Sequence, residues 1–337
     1  MPASSAVYGC QSTTLSRDEH AFFRDASPWG FILFARNCES PVQMRALCQS
    51  LRDCVGFDAP ILIDQEGGRV ARLKPPHWRL RAPARRFGEL FESNPDEGRD
   101  AAYLSARLIA HELRGAGVNV NCTPVLDVPV PGAHDIIGDR AFSLDPATVI
   151  ELGRVTIEGH LDGGVIPIVK HIPGHGRALA DSHLALPRVS AGKDELSAHD
   201  FVTFRSLNGA PAAMTAHVVY EAFDAQRPAT TSPRVIHNVV RGEIGFDGLL
   251  ISDDLSMAAL EGPLSVRAKQ ALFAGCDIAL HCNGKLDEMM EIAREAKPLA
   301  GKALARADAA LARARVPSEL DYEKAEARLT EMVGNLA

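Results

Sequence analysis

Residues 170–187, with the sequence KHIPGHGRALADSHLALP, concentrate side chains that could carry out acid–base chemistry. Lys170 and His171 come directly after an apolar run, and Asp181 and His183 stand two positions apart further along. The proline and the glycines between them disfavour both helix and strand, so the stretch is predicted to be a loop. A loop that follows a buried strand and holds several titratable groups is typical of a catalytic site.

Side chains that could take part in acid–base chemistry also lie in other apolar runs. Asp64, Asp127 and the pair Asp253 and Asp254 stand at the ends of their runs, and His217 lies inside its run. Because adjacent residues of a regular strand point to opposite faces, only one of Asp253 and Asp254 should face a shared cavity. We expect Asp253 to be the chemical carboxylate and Asp254 to be structural, capping the helix that follows. Glu66 is a rival acid, but we expect it to pair with Arg69 or with a neighbouring helix N-terminus.

Eight short apolar runs determine the predicted fold. They lie at residues 6–10, 30–35, 60–64, 118–127, 165–171, 212–220, 249–253 and 276–282. The runs are almost continuously apolar, as strands buried on both faces should be, and amphipathic segments separate them. This alternation predicts an α/β fold, a single (β/α)8 TIM-type barrel, with a doubly wound open sheet as the competing arrangement. In a barrel the carboxyl ends of all strands meet at one rim, so the polar residues would come together there.

Helix signals fill the gaps between the runs. Ser40 before Pro41 and Asn94 before Pro95 are typical helix starts, and the first is followed by an apolar stripe of Met44, Leu47, Cys48 and Leu51. Further helices are predicted at residues 151–161, 193–207, 232–244 and 257–274. We expect one catalytic domain over residues 1–337, with C-terminal helices from about residue 285 packed on the outside of the barrel.

Composition excludes several classes of protein. The 337 residues are 46% hydrophobic and carry a formal net charge of −7, so the chain lacks the positive charge that nucleic acids or anionic membranes attract. Its seven cysteines form no CxxC pair, which argues against structural zinc and against a disulfide framework. The N-terminus lacks a secretory signal and no apolar stretch reaches membrane-spanning length, so a cytoplasmic protein is expected.

Six sequence blocks together identify a family. They are GFILFARN from Gly30, IDQEGGRVARL from Ile63, GDRAFS from Gly138, KHIPGHG with ADSH, MTAHVVY from Met214, and GLLISDDLSM from Gly248. With these blocks in this order, the chain resembles family 3 glycoside hydrolases of the bacterial β-N-acetylhexosaminidase branch, the peptidoglycan-recycling type. The loop with KH, PGHG and DSH, together with SDDLSM, is the most specific part of the resemblance.

The resemblance implies a retaining exo-β-N-acetylglucosaminidase. It implies that Asp253 is the nucleophile and that His183, assisted by Asp181, is the general acid/base. The sugar-binding set that it implies is Asp64, Arg72, Arg140, Lys170 and His171. No metal and no cofactor are expected. The expected partner is a small sugar, either a muropeptide (N-acetylglucosamine linked to 1,6-anhydro-N-acetylmuramic acid with or without peptide) or a chitobiose-like sugar. Neither nucleic acid nor membrane is expected, and the protein should act as a monomer.

Alternatives to hydrolysis by this route stay open. A histidine has an ordinary pKa of about 6.5 and can hold a proton near neutral pH without the burial that a carboxyl acid needs. The same site could pass the sugar to phosphate instead of water, which would make the protein a phosphorylase. A metal-dependent barrel hydrolase could use His171, His175, His183, His217 and Asp253 as ligands. A non-catalytic sugar sensor is disfavoured because binding alone needs no nucleophile.

Overall fold

The computed structural model describes residues 3–180, 182 and 185–334. In this part of the chain, eight parallel strands close into a barrel in chain order, and the last strand pairs with the first. The barrel strands are β1 (Ser4–Gly9), β2 (Pro28–Leu33), β3 (Ile61–Ile63), β4 (Val120–Asn121), β5 (Ile166–Ile172), β7 (Ala212–Thr215), β9 (Leu249–Asp254) and β10 (Ile278–His281). Strands β6 (Arg188–Val189) and β8 (Val219–Tyr220) form a separate pair. The predicted (β/α)8 barrel is confirmed, and the doubly wound sheet is wrong.

The barrel strands are apolar on both faces because each face is covered. In β2, Ile32 belongs to an apolar cluster inside the barrel together with Val7 and Leu62. Its neighbour Phe31 points the other way and packs with Phe23 in the layer between strands and helices. This alternation of two buried faces explains why the strands read as continuous apolar runs.

Eleven α-helices of the described chain surround or close the barrel. They are α1 (Arg17–Ala26), α2 (Pro41–Val55), α3 (Ala84–Ser93), α4 (Pro95–Gly115), α5 (Pro146–Asp162), α6 (Lys193–Glu195), α7 (Phe201–Ser206), α8 (Leu264–Ala274), α9 (Leu286–Ala293), α10 (Gly301–Leu311) and α11 (Tyr322–Val333). Side chains cap two of them as predicted: Ser40 accepts from the N–H of Gln43 at 3.2 Å, and Asn94 from that of Glu97 at 3.4 Å. The four apolar residues of the α2 stripe are buried.

Three predicted helices differ in detail from the observed ones. π-Helical turns at Leu196–Asp200 and Val235–Glu243 replace regular α-helix in two of them. The helix predicted from residue 257 begins only at Leu264, and turns occupy residues 255–263. The reason lies just before α8: Gly262 has a φ of +84°, and Pro263 disfavours helical backbone at the residue before it.

The last two helices take different positions. Ala307 and Ala310 of α10 join the apolar cluster inside the barrel, beside Trp29 and Leu299 at the amino ends of the strands. Helix α10 therefore closes the end of the barrel opposite the polar rim, whereas α11 packs on α3 and α4. Within the described ranges, no helix combines the length and apolar character needed to cross a bilayer.

Candidate active site

A cavity of about 430 Å³ opens at the carboxyl ends of the barrel strands. Its polar wall consists of Asp64, Glu66, Arg69, Arg72, Arg140, Lys170, His171, His175, Ser182, Asp253 and Asp254. Six of the eight site residues implied by the resemblance therefore line one cavity. The other two, Asp181 and His183, lie outside the described residues. Ser182, between them in the sequence, is described and lines the cavity.

Five charged side chains alternate in sign along this wall, and we call them the charge ladder: Arg72, Asp64, Lys170, Glu66 and Arg140. Nζ of Lys170 lies 2.7 Å from Oδ1 of Asp64 and 2.6 Å from Oε1 of Glu66. At one end Arg72 donates to Asp64 at 3.2 Å, and at the other Arg140 donates to both oxygens of Glu66 at 2.9 and 2.8 Å. Every buried charge in the ladder thus has an opposite charge beside it, which buried ions require.

The ladder keeps its members ionised. Burial alone would raise the pKa of Asp64, but Lys170 and Arg72 outweigh it and hold that pKa well below its usual range. Burial alone would also raise the pKa of Glu66, but Arg140 and Lys170 outweigh this effect and lower the pKa of Glu66 to about 2. For Lys170, burial would lower the pKa, whereas Asp64 and Glu66 raise it above its ordinary value. An ionised Asp64 can accept from sugar hydroxyls next to cationic donors.

Glu66 has partners other than those expected from the sequence. The predicted pairing with Arg69 is wrong, because Arg69 points to the loop after β4 and lies 2.9 Å from Oδ1 of Asp139. Glu66 is 7% exposed and bonds Arg140, which is 74 residues away in the chain, and Lys170. No local spacing could have indicated these partners, since both come from other barrel strands or loops.

The two arginines of the ladder differ in what they can offer a ligand. Nε, Nη1 and Nη2 of Arg140 all donate already, to Glu66 and to the carbonyl oxygen of Ile136. Arg72 stacks on the ring of Phe34, 5.0 Å from its centre, and among the described residues its buried Nε has no hydrogen-bond partner. Arg72 therefore retains an unused donor, whereas Arg140 mainly orients Glu66.

Asp127 follows β4 and holds the start of the loop after β5. Its Oδ2 lies 2.7 Å from Nδ1 of His171, and its Oδ1 accepts the backbone N–H groups of His171 and His175 at 3.1 and 2.6 Å. Burial would raise the pKa of Asp127, but His171 outweighs it and the pKa lies below its usual range. An ionised carboxylate only accepts, so Nδ1 of His171 carries the hydrogen and Nε2 is left for the cavity that His171 lines.

His175 holds the same loop in place. Burial, with His171 nearby, lowers the pKa of His175 to about 4, so its ring is neutral. Nε2 of His175 lies 3.3 Å from Oγ of Ser182, and the carbonyl oxygen of Ser182 accepts the N–H of Ala259 at 3.2 Å. The loop after β5 is thereby tied to the turn that follows β9.

A series of hydrogen bonds joins the backbone N–H of Asp253 to the carbonyl oxygen of Asp254. The N–H of Asp253 donates to Oγ1 of Thr215 at 3.2 Å, and that oxygen lies 2.8 Å from Oγ1 of Thr230. His217 completes the series, with Nδ1 2.7 Å from Thr230 and Nε2 2.9 Å from the carbonyl oxygen of Asp254. Donors and acceptors match throughout when both hydroxyls donate towards His217 and Nε2 carries the ring hydrogen. The series, which sequence reasoning did not find, fixes the backbone around Asp253.

Asp254 uses its carboxylate to stabilise a turn. It accepts from the N–H of Ser256 at 3.0 Å, the hydroxyl of Ser256 at 2.7 Å and the N–H of Cys282 at 3.2 Å. The expected helix cap is wrong, because α8 begins well after this turn. The register between β9 and β10 shifts here, so the regular alternation of faces is interrupted and both Asp253 and Asp254 border the cavity. Oδ1 of Asp253 accepts the N–H of Asp254 at 2.8 Å.

Residues 3–180, 182 and 185–334 contain no group of three or more His, Cys, Asp or Glu side chains arranged to hold a metal ion. His183, one of the ligands considered for a metal-dependent hydrolase, lies outside these ranges. In the described part of the cavity, positive charge comes from side chains, chiefly Lys170, Arg72 and Arg140.

Known proteins share this fold and much of this sequence. The chain matches the model of the glycosyl hydrolase family 3 N terminal domain over residues 11–316. A β-hexosaminidase of Alkalilimnicola ehrlichii is 42% identical over 281 residues, which are 82% of this chain and 80% of that protein. One of Pseudomonas aeruginosa is 38% identical over 284 residues, 83% of each chain. The structure of NagZ from Neisseria gonorrhoeae in complex with N-trifluoroacetyl-D-glucosamine has a TM-score of 0.89 at 31% identity and covers 99% of both chains. The chain therefore belongs to glycosyl hydrolase family 3 and is a glycoside hydrolase of the β-hexosaminidase type.

Proposed function

We propose that this enzyme removes terminal β-linked N-acetylglucosamine from peptidoglycan fragments, with retention of configuration at the anomeric carbon. The fragments are N-acetylglucosamine linked to 1,6-anhydro-N-acetylmuramic acid, with or without peptide. Relatives named β-hexosaminidase and a neighbour that binds an N-acylated glucosamine support the sugar. The observation that carries the proposal is that Asp253, at the carboxyl end of β9, lines the same cavity as the charge ladder and His171.

In the first step Asp253 is the nucleophile. Its carboxylate oxygen forms a bond to the anomeric carbon while the bond from that carbon to the leaving oxygen breaks. His183, with Asp181 accepting from its other ring nitrogen, gives a proton to the leaving oxygen, so the aglycone departs as a neutral alcohol. The products of this step are a glycosyl ester of Asp253 and a neutral His183.

In the second step water replaces Asp253. The neutral His183 takes a proton from the water whose oxygen attacks the anomeric carbon, and the ester bond breaks to restore the Asp253 carboxylate. Two displacements on opposite faces give net retention. An imidazole with an ordinary pKa of about 6.5 can serve as acid and as base near neutral pH.

The charge ladder and His171 hold the sugar in this proposal. Sugar hydroxyls both donate and accept, so they need acceptors and donors side by side. Asp64 supplies the acceptor oxygens, and Lys170 and Arg72, which line the same cavity, supply donors next to it. The cavity volume of about 430 Å³ lies within the usual range of small-molecule sites.

Trapping the covalent intermediate tests the nucleophile. The enzyme is incubated with a 5-fluoro derivative of N-acetylglucosaminyl fluoride, and the labelled peptide is mapped by mass spectrometry. We expect the label on Asp253, and Asp253→Asn should lose both labelling and about 10⁴-fold or more in kcat. Asp254→Asn is the control from the adjacent carboxylate and should still be labelled on Asp253. Label on Glu66 or Asp254 in the parent enzyme would contradict the assignment.

Product analysis tests the acceptor and the aglycone separately. In phosphate buffer, β-configured N-acetylglucosamine as the first product means hydrolysis with retention, whereas the sugar 1-phosphate means that phosphate attacks the ester. The kcat/KM values for the anhydromuramyl disaccharide, with and without peptide, are then compared with that for chitobiose. A clear preference for chitobiose would contradict the peptidoglycan substrate and leave the reaction type intact.

A further inference from the structure

A buried arginine links the loop after β3 to two helices. The side chain of Arg81 is 1% exposed and bonds Glu112 of α4 through Nη2 and Glu326 of α11 through Nη1, the latter at 2.7 Å. The hydroxyl of Tyr322, also on α11, donates to Glu112 at 2.8 Å. Two carboxylates from two different helices bond the one guanidinium, so together they favour one position of Arg81.

The backbone of Arg81 in turn contacts a turn that leads into the cavity. The N–H of Gly68 donates to the carbonyl oxygen of Arg81 at 2.8 Å. Beside it, a Cβ on Gly67 would lie 2.3 Å from the carbonyl oxygen of Ala82, so the two segments cross too closely for any side chain there. Gly67 and Gly68 also have φ values of +103° and +53°, which glycine tolerates best. The position of Arg81 therefore restricts the position of this turn.

The same turn carries residues of the charge ladder. Glu66 lies directly before the two glycines and Arg72 four residues after the second one, and both line the cavity. Gln65 closes the turn internally, because its Oε1 accepts the N–H groups of Arg72 and Leu73 at 2.8 and 3.0 Å. A shift of Gly68 would be transmitted to Glu66 and Arg72 through this short, cross-bonded segment.

We infer that the C-terminal helix α11 positions the sugar-binding turn at residues 65–72, and that Glu326 is a positioning residue acting through Arg81. None of the described residues that line the cavity belongs to α11. The helix also lies beyond residues 11–316, the part of the chain that the family model matches. Substrate binding in this enzyme thus depends on a segment outside the matched catalytic domain.

Hydrogen exchange tests the link without any substrate. Amide exchange of peptides spanning residues 64–74 is compared in the parent protein, Glu326→Ala and Leu329→Ala. Leu329 is the matched control, because it is a buried residue of α11 that contributes packing and makes no bond to Arg81. We expect faster exchange in residues 64–74 for Glu326→Ala only. Equal exchange there in both variants, or changes confined to α11, would overturn the inference.

Kinetics supply the second readout, which rests on the proposed function. At a temperature where all variants are folded, Glu326→Ala should raise KM for an N-acetylglucosaminide by about fivefold or more with little change in kcat, because the turn carries binding groups. Leu329→Ala should lower Tm and leave KM unchanged. If Glu326→Ala does not fold, Glu326→Gln, which keeps an acceptor for Arg81 without the charge, should show the same changes at smaller size. A parent enzyme inactive on N-acetylglucosaminides would contradict the proposed function, and the exchange experiment would still decide the inference.

Discussion

Asp127 and His171 are joined at two points, ring and backbone. One carboxylate oxygen lies 2.7 Å from Nδ1 of His171 and the other accepts the N–H of the same residue at 3.1 Å. The ring can therefore neither flip nor exchange its tautomer without breaking a bond to a buried, ionised group. Whatever the protonation state of His171, Nε2 is the atom whose hydrogen can change.

Asp127→Asn should reverse the tautomer of His171. The amide oxygen can still accept the backbone N–H groups, but the amide nitrogen donates, so Nδ1 must become an acceptor and Nε2 must carry the hydrogen. We expect kcat/KM to fall about tenfold, the loss of roughly one hydrogen bond to a charged group. Long-range ¹H–¹⁵N NMR of histidine-labelled protein, assigned with His171→Gln, reads the tautomer directly. An Nδ1-protonated His171 in the variant would contradict this account.

Lys170→Met should destabilise the protein and abolish sugar binding. The substitution keeps most of the side-chain length but leaves Asp64 and Glu66 without the cation between them, at a cost of about 3 kcal/mol in the free energy of unfolding. Lys285→Met is the control: it removes a lysine–glutamate pair at the surface, where Lys285 is 69% exposed, and should cost less than about 1 kcal/mol. Urea unfolding of the three proteins measures both values. Similar losses in the two variants would mean that the charge ladder does not stabilise the site.

Thr215→Val should slow the reaction more than it weakens binding. The valine has the same shape, but the N–H of Asp253 loses its acceptor and the series to His217 is interrupted. We expect kcat to fall about tenfold, equivalent to about 1.4 kcal/mol in the transition state, with KM nearly unchanged. Thr148→Val is the matched control, since its buried hydroxyl bonds Asp145 away from the cavity. A normal kcat in Thr215→Val would show that the series does not position the nucleophile.

His160→Gln should make stability less dependent on pH under acidic conditions. Burial lowers the pKa of His160 from 6.5 to about 4, so between these pH values the unfolded chain binds a proton that the folded protein does not. The free energy of unfolding therefore falls as the pH falls through this window, by about 1.4 kcal/mol per pH unit for this one group. His175 acts in the same direction, and Asp200, whose pKa burial raises to about 6, acts in the opposite one.

The measurement is urea unfolding of the parent and of His160→Gln at several pH values from 8 to 4.5. The slope of the free energy of unfolding against pH gives the number of protons taken up on unfolding. Below pH 6 this number should be larger in the parent than in the variant by about one, and above pH 7 the two slopes should coincide. The substitution keeps an oxygen that can accept from Asn121, which bonds His160 in the parent at 3.0 Å. Parallel curves over the whole range would show that His160 is not held neutral by the fold.

The sequence predicted the site as far as local patterns extend. Lys170, His171 and Asp253 could be found because each ends an apolar run, and parallel strands bring those ends to one rim. The bonds that hold the site could not be found in this way. Glu326 and Arg81 are 245 residues apart, and their pairing depends on where α11 packs, which no local pattern specifies. Thr215 lies inside an apolar run and Thr230 between two such runs, beside Thr231, and neither carries a charge, so nothing in their spacing marks them.

The charge ladder also bears on how substrate arrives. Among the described residues that line the cavity, the four cations Arg69, Arg72, Arg140 and Lys170 are matched by the four carboxylates Asp64, Glu66, Asp253 and Asp254. The described lining of the mouth therefore adds little net field of its own to that of the whole chain, and salt has little local attraction to screen. The mouth itself should therefore contribute little to any change in encounter rate between dilute buffer and high ionic strength, and selectivity among glycosides would arise after contact, from close-range hydrogen bonding.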